Sequence, residues 1–450
     1  MAFNTDHSTD RIKMLGGSSS QCLMKSLDVF MKSTNIQPLA NRFVHGMRFV
    51  EEMEIPLAVY TPAFPEPHHL ESYLSTFFDK IHPVYPMLQI DEFKNRVRGL
   101  ASISDLGSVS HENVPFLAAA YLTLSLGADE AASGVTEPGA SYLRAATSLL
   151  GHVVLMPYLP AVQTLLLFTI AFRGRNKDGV GWQTLGMGIR IAYTLGLHRH
   201  SATNPSNEHG VQHRGTQLLH ARIWAICCSL EKLMQIESGR PSIIGAVDCD
   251  QMMGRDQQAP GHDFLQWHMG LAQNQGLISE HLYGHGVRDR GSRRILLDTA
   301  RLDRSLLAWA SNLPEEFRPG TDLFCSSHEY HIAALLSIQY FQTMISLHRA
   351  ALISPAARFQ SEVDKHCSED PSRLRLRGGE EICISSARSI AKLAIELSDR
   401  SIESRILNAG PLLLACIVLG VSLLKNPGRR LKGTDLEVFI HYYQRVSIFI

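Results

Sequence analysis

The chain has 450 residues, with 43 Lys+Arg balanced by 43 Asp+Glu and a formal net charge of zero. Hydrophobic residues make up 45% and charged residues 19%, which excludes disorder as a whole-chain state, because disorder needs low hydrophobicity and high net charge. A neutral total also argues against a surface that grips nucleic acid along its whole extent, and at roughly 150 residues per domain the length suggests about three domains or one large helical unit.

The eight cysteines include no C-x-x-C, and the one close pair, Cys227-Cys228, suits neither a zinc knuckle nor a redox motif. The first ten residues are polar and lack the apolar stretch of a signal peptide, and Asn204-Pro205-Ser206 is no glycosylation site because of its proline. The cysteines therefore read as reduced, mostly buried thiols.

Along the chain, residues 1–20 are polar and end in Gly16-Gly17-Ser18-Ser19-Ser20, which reads as a flexible tail. Apolar residues at helical spacing follow between 22 and 54. A linker with Pro56, Pro62, Pro65 and Pro67 comes next, where no continuous helix fits. From Leu70 the pattern is helical: Leu70, Tyr73, Leu74, Phe77, Phe78 and Ile81 line one face. His82-Pro83-Val84-Tyr85-Pro86 breaks it. Further helices are predicted at 114–126, 142–155 and 160–172, the last with Pro160 in its first turn. After a polar loop, Trp182, Leu185, Ile189, Tyr193 and Leu197 continue the pattern. Leu219, Ile223, Ile226, Leu230 and Leu233 form the cleanest stripe, stopped at Gly239-Arg240-Pro241 by a glycine cap and a proline. Helices are also predicted at 264–282, 295–309, 328–351, 380–397, 412–424 and from 436 onward, with 354–379 as a loop carrying Arg373, Arg375 and Arg377. The longest apolar run, 409–424, falls short of the ~20 residues of a spanning helix, so no membrane span is expected. The fold class is all-α, a multi-helix domain behind a polar tail and proline-rich linker.

Tests for chemistry return little. No P-loop is present, and Gly186-Met187-Gly188 lies inside a helical stripe, where small residues serve close helix packing. Ser229-Leu230-Glu231-Lys232 matches S-x-x-K, but the companion K-T-G is missing. His198, His200, His209, His213 and His220 cluster in sequence, in what reads as a solvated loop. Asp248 and Asp250 are the nearest approach to a magnesium-binding aspartate motif. No catalytic residue, cofactor or metal ligand is expected.

Four blocks in order carry a different signal: Tyr73 to Leu88 with Phe93; Pro160 to Leu167; Gly181 to Ala192 continuing through Leu195-Gly196-Leu197-His198-Arg199; and Arg222-Ile223-Trp224, Glu231-Lys232, Gly239-Arg240-Pro241 and Asp248-Cys249-Asp250. Together they resemble the fungal-specific transcription factor domain, the regulatory middle region of binuclear zinc-cluster activators. The resemblance marks His82, Pro83, Pro86, Trp182, Gly186, Arg190, Leu195, Gly196, Leu197, Arg222, Trp224, Glu231, Lys232, Gly239, Arg240, Pro241, Asp248 and Asp250 as family positions. It implies a division into a tail and linker (1–69), the regulatory domain (70–255) and a C-terminal helical region (256–450). Family members usually have Asp-Arg where this chain has Glu231-Lys232, a change that keeps the charges. The family's cysteine cluster has no counterpart in residues 1–69, which hold only Cys22.

The blocks themselves read as architecture: His82-Pro83 and Pro86 end a helix, and Trp182 and Trp224 anchor neighbouring helices. Arg240 either satisfies helix carbonyls or pairs with Asp248 or Asp250, the structural reading, or grips a ligand. The resemblance implies a nuclear transcriptional regulator without its own zinc cluster. It would act through protein partners, such as a DNA-binding family member or a second copy, and reach DNA only indirectly. It leaves room for a small-molecule effector and for control of a secondary-metabolite gene cluster. The alternative is a helical enzyme or small-molecule-binding protein on the same fold.

Overall fold

In the computed structural model of the chain, the residues described are 2–6, 11–15, 61–103, 105–199, 210–245, 264–284, 290–320, 322–400 and 410–425. They carry fifteen α-helices. The one sheet among them is a two-stranded antiparallel ribbon, β1 (Ala2–Asp6) on β2 (Arg11–Leu15), inside what the sequence marks as a tail. The expected helices at 22–54 and from 436 onward lie outside the described residues. No described helix is long and apolar enough to cross a membrane.

The chain divides into two compact units, residues 1–227 with 244–260 and residues 228–243 with 261–450. The first contains α1 (Pro67–Lys80), α2 (Ile90–Ala101), α3 (Val114–Ala131), α4 (Glu137–Ser148), α5 (Leu150–Leu155), α6 (Leu159–Arg173) and α7 (Asp178–Leu195). α3 is buried on every side from Val114 to Glu130, as a helix without a polar face must be. Pro67 and Pro160 open α1 and α6, where a missing N–H costs nothing. Close packing depends on Gly127 of α3: a Cβ there would lie 2.1 Å from the Tyr73 carbonyl oxygen of α1. The proline-marked segment is held against α3 as well, by the Tyr121 hydroxyl donating to the Pro62 carbonyl (2.6 Å) and by Phe64 stacked on Tyr121. Asp129 staples the α3–α4 turn, accepting from the Thr136 N–H and hydroxyl at 2.9 and 2.8 Å and pairing with Arg175 at 2.7 Å.

α8 (Gly210–Ser238) supplies residues to both units, the division falling after Cys227. The second unit adds α9 (Phe264–Ile278), which runs into a π-turn at Ser279–Tyr283, then α10 (Ser292–Ser311) and α11 (Tyr330–Ile353). It closes with α12 (Ala356–His366), α13 (Arg373–Arg377), α14 (Gly379–Asp399) and α15 (Gly410–Lys425). Its core joins Leu302 and Leu306 of α10, Tyr330, Leu336 and Ile345 of α11, Ile384 and Ile390 of α14, and Val418 of α15.

The helix assignments read from the sequence are corrected at three places. Residues 354–379, expected as a loop, form α12 and α13, each anchored by a single buried aliphatic side chain, Val363 and Leu376. α2 was not anticipated; it hangs on Phe93, Val97 and Leu100 alone. The window 142–155 is also two helices rather than one, α4 and α5.

Candidate functional site

The first family block ends in a turn built around an imidazole. His82 is buried beside Phe78, and its Nε2 lies 2.9 Å from the Leu88 carbonyl oxygen and 3.3 Å from the Leu88 nitrogen. The ring therefore ties residue 82 to the start of α2 in either neutral tautomer. Burial pushes the imidazole down to about 4, the Arg222 charge pushes the same way, and the hydrogen bond to Leu88 opposes both. Pro83 and Pro86 are half-buried in this turn, which separates α1 from α2 as expected.

The third block ends where α7 stops. Gly196 has φ 77°, and the Leu197 N–H reaches back to the Ala192 carbonyl (3.0 Å), the bond pattern of a left-handed helix cap. Leu195 and Leu197 are buried on either side of the cap. The returning chain brings His198 against Tyr193 (ring centroids 4.7 Å) and Trp224 (5.8 Å), with Tyr193 5.2 Å from Trp224. Trp224 is 1% exposed, so the anchor expected there is present, whereas Trp182 is only half-buried and Arg190 is exposed. Gly186 is buried within α7, and at Gly188 a Cβ would lie 3.4 Å from Leu165 Cβ of α6. That is the close-packing role expected of the Gly-x-Gly.

The described members of the histidine run do not all stand in the solvated loop expected. His198 belongs to the aromatic box, His213 lies within α8, and His220 is half-buried there with its imidazole pushed down by burial. His200 and His209 are outside the described residues.

At the other end of α8, Glu231 and Lys232 hold the chain that leaves the helix. Glu231 is buried, accepts from the Ile243 N–H at 2.9 Å and pairs with Lys232 at 3.0 Å, while the Lys232 ammonium donates to the Ser242 hydroxyl. Gly239, at φ 67°, caps the helix by donating to the Gln235 carbonyl, and Pro241 follows exposed. The backbone N–H of half-buried Arg240 faces the Ser238 hydroxyl at 3.3 Å. Its suggested partners Asp248 and Asp250 lie outside the described residues. The acid–base pair thus fixes a turn in its own chain, a use that the S-x-x-K reading of Ser229 and Lys232 overlooks.

A second polar centre was not anticipated. Asp303 of α10 is fully buried; its Oδ1 lies 2.9 Å from His348 Nε2 of α11, and Arg375 of α13 donates to both of its oxygens at 2.7 and 3.0 Å. Burial alone would raise the carboxyl, but the hydrogen bonds from His348 and Arg375 outweigh it and hold Asp303 near 2. The arginines of the basic run are thus committed within the protein: Arg373 and Arg377 both pair with Asp364. Buried thiols behave as the composition suggests. Cys227 and Cys383 are free, and burial raises each to about 12.

Among the described residues these arrangements bring together no catalytic constellation. The buried Asp303–His348 pair has its carboxylate saturated by Arg375, which makes it a poor proton acceptor near neutral pH. Sequence reasoning missed this centre because residues 303, 348 and 375 are far apart and each lies in an ordinary helical context. It also passed over Glu66, His68 and His69, which the structure groups at the start of α1.

Comparison with known proteins agrees with the blocks. Residues 74–256 match the model of the fungal specific transcription factor domain. Cutinase transcription factor 1 beta of Fusarium vanettenii is 23% identical over 427 residues, covering 84% of this chain and 46% of that protein. A transcriptional regulatory protein of Schizosaccharomyces pombe is 23% identical over 399 residues, covering 84% of this chain and 49% of its own. Sorbicillinoid biosynthetic cluster transcription factor 2 of Penicillium rubens is 23% identical over 255 residues, covering 53% and 36%. The chain spans about half the length of the first two relatives. No solved structure matches it. The all-α chain thus carries, over residues 74–256, a match to the fungal specific transcription factor domain.

Proposed function

We propose that this chain is the regulatory portion of a nuclear transcriptional regulator and works by contact with protein partners rather than by catalysis. The observation that supports the reading is that, in the matched region 74–256, the family positions His82, Gly196, Trp224, Glu231 and Gly239 serve helix ends, caps and packing. A scaffold of this kind presents surfaces and relays occupancy; it does not need a reactive centre. The relatives support it, since all three just named are called transcription factors or regulators.

The 450 residues contain no paired-cysteine motif, so recognition of promoter DNA falls to a partner, a DNA-binding family member or a second copy, or to protein sequence outside these residues. Control of a secondary-metabolite gene cluster is supported by the Penicillium rubens relative, whose name places it in a biosynthetic cluster. A small-molecule effector is compatible with this role.

Fusion to a foreign DNA-binding domain tests the reading. The fusion is expected to change output from a reporter bearing the foreign site, and the 450 residues alone are expected to leave it unchanged. In a gel-shift titration near physiological salt, the isolated chain should show only weak, salt-sensitive binding. Tight, sequence-selective binding by the isolated chain would overturn the partner-dependent reading, and a silent but folded fusion would overturn the regulatory one.

A further inference from the structure

We propose that Glu66, His68 and His69 form a binding site for one divalent ion of borderline softness, Zn²⁺ being the natural probe. The three residues offer ligand atoms that all lie within 4.8 Å of one another. Two neutral imidazole nitrogens and one carboxylate oxygen are the donor types zinc takes in three-ligand sites that keep a position open to water. This chemistry is distinct from a thiolate cluster and uses no cysteine.

Local structure explains why the three converge. Glu66 occupies the cap position of α1, yet its side chain makes no capping hydrogen bond. It turns instead toward His68, with Oε2 3.6 Å from His68 Nδ1. Pro67 between them fixes φ and removes a competing N–H. Neighbouring residues on a helix ordinarily point apart. In this first turn the His68 and His69 rings nevertheless lie 3.8 Å apart, centre to centre, and His69 is stacked at 6.0 Å on Tyr73 one turn later.

Zinc–nitrogen and zinc–oxygen bonds of about 2.0–2.2 Å bring tetrahedral ligand atoms within roughly 3.5 Å of each other. Closing from 4.8 Å to that spacing is a small movement for exposed side chains. The partial positive charge at a helix N-terminus opposes a cation, and the Glu66 carboxylate offsets it. Exposure of all three residues leaves the remaining coordination positions open to water or to a ligand from a partner. The expected affinity is modest, about micromolar, because three mobile side chains must be ordered on binding.

The test is calorimetric titration of the full chain, stripped with chelator, with ZnCl₂, and in parallel with MgCl₂. Wild type should bind zinc with one component that His68→Ala/His69→Ala lacks, and Glu66→Gln should weaken that component by roughly tenfold. Magnesium should give no such component, since it prefers an all-oxygen shell. Because the three side chains are exposed, both variants should keep the wild-type circular dichroism spectrum and melting curve, which separates a lost site from a lost fold. Other histidines can contribute further components, so the reading is the difference between wild type and variant. An unchanged zinc isotherm in the folded double variant, or the absence of any zinc binding by wild type, overturns the proposal.

Discussion

Trp224 and Asp303 are both withdrawn from water, each in a different unit, and they are held in opposite ways. Trp224 is fixed by shape: Tyr193 and His198 pack on its ring, and the left-handed cap at Gly196 delivers His198 to it. Asp303 is fixed by charge: a carboxylate in the interior stays ionised because His348 and Arg375 satisfy both oxygens. A shape-held centre is sensitive above all to lost volume. A charge-held centre tolerates joint replacement by apolar groups far better than the loss of one member. The Trp224 centre rests on ring packing and a helix cap, whereas the Asp303 centre ties sequence-distant helices by charge.

The largest effect is expected at Trp224. Trp224→Ala should cost about 3–5 kcal/mol, the range for emptying a large buried aromatic, and Trp224→Phe considerably less. Urea denaturation followed by circular dichroism measures both. An unchanged midpoint in the alanine variant would show that the α8 stripe is not a core face, and the shape-held half of the comparison would fail.

Next in size is Asp303. Asp303→Ala leaves Arg375 and His348 facing one another with no counter-charge, at an expected cost of about 3 kcal/mol. That is the lower end of the range for a broken buried pair, because the Arg375 side chain is 40% exposed and water screens part of the loss. The joint change Asp303→Leu with Arg375→Met should cost less than the single change. A joint variant less stable than Asp303→Ala would mean that the charges are stabilising in themselves and not merely satisfied.

Acidification separates the two kinds of centre further. His82 in the first unit and His268 in the second are buried, and burial lowers each to about 4, against about 6.5 for a free histidine. Both are neutral when folded, so the unfolded chain takes up protons first as pH falls. Each contribution is complete above about pH 6.5, declines as pH falls toward 4 and changes no further below that, a loss of about 2 kcal/mol per group by pH 5. Asp303 works in a lower window: its stabilisation is present above the ordinary carboxylate range and is lost as pH falls toward 2. Stability measured from pH 7 to pH 3 should therefore fall in two stages. His82→Gln, whose amide can still donate to the Leu88 carbonyl, should flatten the upper one. An upper stage unaffected by that change would remove His82 as its source.

How much of this was legible in the sequence follows from the range of each interaction. The α8 stripe, the stop at Gly239-Arg240-Pro241 and the break at His82-Pro83 are local patterns, and they stand where the spacing put them. α12 and α13 were not legible because each buries a single aliphatic side chain and presents charge elsewhere. Their stability comes from partners far along the chain, as when Arg375 reaches Asp303. The buried role of His198 was hidden for a similar reason. Its partner Trp224 lies beyond a polar stretch rich in histidine, and composition alone favoured a solvated loop. The Glu231–Lys232 pair was legible as an ion pair, but its grip on Ser242 and the Ile243 backbone was not, since that depends on how the chain turns at Gly239.

The smallest expected effect probes that turn. At Gly239 a Cβ would meet nothing within 4 Å, so a substitution there carries no steric clash. The remaining cost is the backbone conformation, φ 67°, which disfavours an L side chain by about 1 kcal/mol. Gly239→Ala should lose about that much stability and Gly239→Asn less, because asparagine tolerates the left-handed region. The contrast is Gly127, where a Cβ would run into the Tyr73 carbonyl oxygen at 2.1 Å and force two helices apart. If Glu231 and Lys232 clamp the chain beyond the cap, the alanine variant should also raise hydrogen exchange at the Ile243 amide, whose acceptor is Glu231. Exchange there that is as slow as in wild type, alongside the expected loss of stability, would mean that the clamp forms independently of the cap. A loss well beyond the backbone cost, with Ile243 exposed, would instead make Gly239 the residue on which the whole Glu231–Ile243 turn depends.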